Sequence, residues 1–149
     1  MIKKLILTSL IFVISCGYQP IYVNKSLKNI EFSKITIEGD KAVNRKIIDF
    51  LSIKENKLDD RLGELLIKST YTIEELSKNS KGQVISYKSK IVVKLKIQLD
   101  EKIIKDINFD EDFVYNNRDN KFELVEYQNE IKKNIINKIL DEIIIKLNV

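Results

Sequence analysis

The sequence has no histidine and no tryptophan, and it has one cysteine, one methionine and one proline in 149 residues. Those absences remove whole classes of chemistry. Zinc sites of the Cys/His kind, Cys-His dyads and Ser-His-Asp triads all need residues that are missing. One cysteine cannot form an internal disulfide. Only four glycines are present, and no stretch is rich in glycine and proline, so the chain offers no long flexible linker. Nor does it contain an apolar run of about 20 residues, the length a membrane-spanning helix needs. An enzyme is not expected, and a charge of +4 is too small for a dedicated nucleic-acid binder.

What is present begins at the amino terminus. Lys3 and Lys4 precede Leu5 to Ile14, a run that is apolar except for Thr8 and Ser9. This has the length of a signal-peptide h-region. Val13-Ile14-Ser15-Cys16-Gly17 follows, with an aliphatic residue three before the cysteine and a small one directly before it. Lipoprotein signal peptidase requires that pattern. Residues 1–15 are therefore expected to be a lipoprotein signal peptide. Cys16 is expected to carry a diacylglycerol on its thiol and an acyl chain on the new amino terminus. Three acyl chains, at roughly 0.8 kcal/mol per buried methylene, exceed what stable anchoring needs. No other cofactor and no metal is expected. Glycine rather than aspartate after the cysteine points to the outer membrane, on its periplasmic face. Loss of Lys3 and Lys4 with the signal peptide halves the formal charge.

Residues 16–33 read as a lipidated tether, with Ile21, Val23, Ile30 and Phe32 as apolar contacts. Residues 34–149 read as one α+β domain. Ser33 to Glu38 alternates as a short strand. Asp40 caps a helix over Lys41 to Ile53, with Val43, Ile47, Phe50 and Leu51 on its apolar side and Lys41, Arg45, Lys46 and Asp49 elsewhere. Leu65 to Leu76 alternates again, and Asn79 to Gly82 is a turn. The strand Ile85 to Leu99 has Ile85, Tyr87, Ile91, Val93, Leu95, Ile97 and Leu99 in one parity. Ser86, Lys88, Lys90, Lys94, Lys96 and Gln98 fill the other.

Its partner puts Ile103, Ile107, Phe109, Phe113 and Tyr115 against Asp106, Asn108, Asp110 and Asp112. A three-residue loop at 100–102 would set Leu99 opposite Ile103, Lys96 opposite Asp106 and Lys90 opposite Asp112. A pairing of Leu99 with Lys102 would contradict this register. After the polar turn Asn116 to Asn120 comes a long helix with Val125, Ile131, Ile135, Ile136, Ile139, Leu140, Ile143, Ile144 and Leu147 at helical spacing. The expected fold is a two-layer sandwich of order β-α-β-β-β-α. A mostly antiparallel four-stranded sheet has two helices on one face and the Lys and Asp rows on its other, wet face.

Two clusters invite a functional reading. Lys88, Lys90, Lys94 and Lys96 form a basic row suited to phosphates or to acids of a protein partner, since charge-assisted hydrogen bonds are strong. The plainer reading is a solvated strand face neutralised across the hairpin by Asp106 and Asp112. Asp110, Glu111 and Asp112 resemble a carboxylate site for a hard cation. Strand-end charge that blocks edge pairing explains them better, and Asp59-Asp60-Arg61 reads as a surface turn.

Cys16-Gly17-Tyr18-Gln19-Pro20-Ile21-Tyr22 resembles the Cys-Gly-aromatic-x-Pro-Leu-Tyr opening of the LPS-assembly lipoprotein family, LptE. Further along, Lys34-Ile35-Thr36-Ile37 with the helix Asn44–Leu51, Ser69-Thr70-Tyr71-Thr72-Ile73, Gly82-Gln83-Val84-Ile85-Ser86-Tyr87 and Phe113-Val114-Tyr115-Asn116 are similar to that family's successive elements. The resemblance implies a non-enzymatic protein that plugs the lumen of the outer-membrane β-barrel LptD, assists its assembly and contacts lipopolysaccharide. Lys88, Lys90, Lys94 and Lys96 are then the candidate contacts to lipopolysaccharide or barrel. From a different class, the residues also allow a lipid-anchored periplasmic binding or scaffold subunit unrelated to lipopolysaccharide.

Overall fold

The computed structural model describes residues 30–59 and 61–147. Cys16, the opening motif and Asp60 lie outside the described residues. Eight elements follow in order: β1 (Ile30–Phe32), β2 (Lys34–Gly39), α1 (Lys41–Leu51), β3 (Ile53–Glu55), β4 (Glu64–Lys78), β5 (Val84–Leu99), β6 (Lys102–Asn116) and α2 (Lys121–Leu147). A four-stranded sheet runs β2-β4-β5-β6, parallel between β2 and β4 and antiparallel elsewhere. Both helices pack on one face, so the two-layer α+β architecture is the one expected.

Parity along the strands sets the layers. Odd positions of the three long strands point toward the helices: Leu65, Ile67, Ile91, Val93, Leu95, Phe109 and Tyr115 are all buried. They meet Val43, Ile47 and Leu51 of α1, and Ile131, Ile135, Ile136, Ile139, Leu140 and Ile143 of α2. Burying such side chains contributes roughly 1.5–3 kcal/mol each.

Several expectations need correction. Ile30–Phe32, read as the end of the tether, is a strand paired parallel with Ile53–Glu55, and Phe32 and Ile53 are core residues. The first helix stops at Leu51 rather than Ile53, because Ser52 takes a left-handed conformation (φ 50°) and closes it. Phe50 faces outward rather than into the core. Val125, Ile103 and Phe113 fit the apolar pattern yet stay about half exposed, and Ile103 does so because it pairs with Gln98 and therefore lies on the sheet face away from the helices.

The β5–β6 register is right over most of its length and wrong at the loop. Lys96 faces Asp106 and Lys90 faces Asp112, as expected. However, Leu99 pairs with Lys102, the pairing that contradicts a three-residue loop. The turn is two residues, Asp100 and Glu101, with φ of 48° and 62°. Two positive φ values match the right-handed twist of a tight hairpin. The register then shifts by one between Ile97 and Gln98, leaving Ile104 as the extra residue of a β-bulge. The bulge restores the alternation that the tight turn would have inverted.

Candidate functional site

Even-numbered positions of β4, β5 and β6 form the open face of the sheet, where the basic row lies. Lys90 Nζ lies 2.7 Å from an Asp110 carboxylate oxygen, Lys94 lies 3.2 Å from Asp106, and Lys88 lies 3.4 Å from Glu74 of β4. Lys68, directly across from Lys94, is turned away to Glu38 at 3.1 Å. The Asp110 contact holds the Lys90 ammonium above its ordinary pKa. Lys96 makes no ion pair among the described residues.

Two of these contacts are diagonal. Lys90 sits opposite Asp112 but bridges to Asp110, and Lys94 sits opposite Asn108 but bridges to Asp106. Each reaches a partner two residues back along β6, as a twisted sheet allows for long side chains. The row is thus largely neutralised within the sheet, but by Asp110, Asp106 and Glu74 rather than by the expected Asp106 and Asp112. It is a mixed-charge polar surface, on which Lys96 and Asp112 make no ion pair among the described residues.

The carboxylates at 110–112 do not converge. Asp110 and Asp112 lie on the open face, while Glu111 points to the helix side and pairs with Lys138 of α2. That contact holds Glu111 below the ordinary carboxylate range. Asp59 pairs with Arg61 in an exposed turn.

On the helix side, a polar centre escaped the sequence reading. Asp40 Oδ1 accepts from the Val43 N–H at 2.9 Å, while Oδ2 accepts from Lys132 Nζ at 2.8 Å. Burial alone would raise the Asp40 pKa, but the Lys132 contact and the Val43 N–H outweigh it and hold it low. Lys132 also lies 4.4 Å from the centre of the Tyr71 ring. The Tyr71 hydroxyl is 3.4 Å from Ser89 Oγ, which donates to the Tyr115 hydroxyl at 3.2 Å. Serines at 69 and 89 interrupt otherwise apolar parities, and that irregularity was the available signal. Ser69 Oγ donates to the Asp40 carbonyl, and Asn44 Nδ2 donates to the carbonyl of Glu38. These bonds fix the helix layer on the sheet; they do not assemble a reactive group.

Beside this centre, a groove of about 770 Å³ runs between α1 and α2. Its charged lining is Lys41, Arg45, Lys46 and Asp49 from α1 with Lys132 and Lys133 from α2. A second, smaller cavity of about 200 Å³ lies under β1 and β3 and is lined by apolar side chains such as Ile30, Leu95, Ile104 and Leu147. No helix among the described residues is long and apolar enough to cross a membrane.

No family model and no curated protein sequence matches the chain. Solved structures do. The rare lipoprotein B of Shewanella oneidensis superposes with a TM-score of 0.59 at 13% identity, covering 77% of this chain and 93% of that one. An uncharacterized lipoprotein B of Nitrosomonas europaea gives 0.56 at 11% identity, over 78% of this chain and 84% of that one. A minor lipoprotein of Acinetobacter baumannii gives 0.50 at 10% identity, over 75% and 87%. The chain has the fold of these bacterial lipoproteins, the fold that its resemblance to the LptE family implied.

Proposed function

We propose that this chain is an outer-membrane lipoprotein of the LptE type, anchored through Cys16 on the periplasmic face. It plugs an LptD-type β-barrel, assists assembly of that barrel, and serves lipopolysaccharide insertion. The observation that supports this most is the shared fold, which spans 93% of the solved lipoprotein B chain. The open sheet face is consistent with the role. Its lysines and carboxylates alternate in ion pairs, which suits the polar interior of an outer-membrane barrel. No group of catalytic type is invoked, in keeping with relatives that are lipoproteins.

The test is purification of the tagged full chain from outer membranes of its own host. A large β-barrel protein should accompany it at near-equal stoichiometry, and depletion of the chain should lower surface lipopolysaccharide. Cys16→Ser should abolish labelling with radioactive palmitate. Recovery without a barrel, with lipopolysaccharide delivery intact, would instead identify a lipid-anchored scaffold or binding subunit. Palmitate labelling that survives Cys16→Ser would remove the anchor assignment.

A further inference from the structure

The two basic surfaces of the molecule are treated differently by the fold. On the open sheet face, Lys88, Lys90 and Lys94 each have a carboxylate partner. In the groove between α1 and α2, five cations face a single acid, Asp49. Lys132 is committed to Asp40. Lys41, Arg45, Lys46 and Lys133 are exposed and make no salt bridge among the described residues.

This placement works against the stability of α1. Lys41 occupies the first helical position, at the positive end of the helix dipole, and the first turn contains no acid. Lys41 and Arg45 are four residues apart, a like-charge spacing that destabilises a helix. The Asp40 cap and Asp49 offset part of these costs, yet Lys41, Arg45, Lys46 and Lys133 keep no salt-bridge partner among the described residues, which leaves them available to an external anion. The groove is open along the two helices, and its free cations stand on exposed rims rather than around a buried centre. Such a geometry fits a lateral array of anions better than one small ion.

We infer that the α1–α2 groove is a docking surface for the phosphate headgroups of an anionic bilayer. From the proposed function the inference takes one thing, that the domain is held near a membrane. Each basic residue near an anionic surface strengthens partitioning about 5-fold, so two together contribute about 25-fold.

The experiment uses residues 16–149, which retain every described element, with Cys16→Ser so that no acyl chain is present. Sedimentation with phosphatidylcholine vesicles, with and without phosphatidylglycerol, reads the partitioning. Binding is expected only with phosphatidylglycerol, and it should weaken as salt is raised. Arg45→Gln with Lys133→Gln should lower it about 25-fold, and Lys41→Gln with Lys46→Gln should do the same. Lys88→Gln with Lys94→Gln on the sheet face should leave it unchanged. Circular dichroism verifies that each variant is folded. The inference is overturned by no binding, by equal binding to neutral vesicles, or by equal loss in the sheet-face variant. It is also overturned if free glycerol phosphate displaces the protein at low concentration, since the site would then be a pocket for one small anion. Because this chain carries no acyl group, these results are independent of the palmitate test.

Discussion

Asp40 ties three elements together, and its contribution divides into parts that substitutions separate. One carboxylate oxygen caps α1 through the Val43 N–H, and the other receives Lys132 of α2. The backbone meanwhile bonds to Ser69 of β4 in both directions. Asp40→Ala removes cap and ion pair together and leaves the backbone bonds. A cap contributes about 1 kcal/mol, and a hydrogen bond to a charged partner about 1.5–3 kcal/mol, so a loss of about 3 kcal/mol is expected. Asp40→Asn keeps a capping oxygen and loses the charge, for about 1–2 kcal/mol. Lys132→Met keeps the apolar stem over Tyr71 and loses only the ammonium. In a double-mutant cycle the two should couple by about 1 kcal/mol.

Urea denaturation followed by circular dichroism measures these losses. A dependence on pH gives a second reading. The folded-state pKa of Asp40 lies below its ordinary value of 3.8. Its stabilisation is therefore full above that ordinary value and is lost as pH falls through the lower, folded-state value. The gap between wild type and Asp40→Asn should be constant near neutrality and should close in strong acid. A coupling energy of zero, or a gap that ignores pH, would refute the assignment of Asp40 and Lys132 as a pair.

Three further outcomes follow from backbone and core geometry, each read as a shift in the urea midpoint. Gly39→Ala should cost more than about 3 kcal/mol: φ is +88°, and a Cβ there would sit 1.8 Å from the Ser69 carbonyl oxygen. Glu101→Gly should stabilise by about 0.5–1 kcal/mol, because relief of a left-handed conformation at φ 62° exceeds the added chain entropy of glycine. Ile143→Ala, at a position with no solvent exposure, should cost about 2–5 kcal/mol. Near-neutral results for Gly39→Ala and Ile143→Ala would place β2 or α2 elsewhere than described.

What the sequence made legible was parity, and what it hid was reach. Period-two alternation along β5 named its buried face correctly from Ile91 to Leu95, because a side chain on a strand can take only one of two faces. The same rule placed Ile103 on the helix side, but the bulge at Ile104 pairs it with Gln98 and so turns it to the open face, where it is half exposed. It likewise selected the even register of Lys96 with Asp106, while leaving the turn undetermined. A bulge at Ile104 let a two-residue loop coexist with that register. The strands β1 and β3, at three residues each, are too short for any period to emerge.

Charge follows the same logic at longer range. Lys88 to Lys96 stood out because four lysines recur within one strand, yet their neutralising carboxylates lie on other strands and partly on diagonals set by twist. In sequence, Lys41, Arg45 and Lys46 are only the polar side of α1, since nothing nearby marks Lys133 as their neighbour across the groove. A run of like charge in sequence therefore identifies a surface only after the counterions that folding supplies are subtracted. By that subtraction the sheet face becomes a balanced wall, and the uncompensated charge moves to the helices.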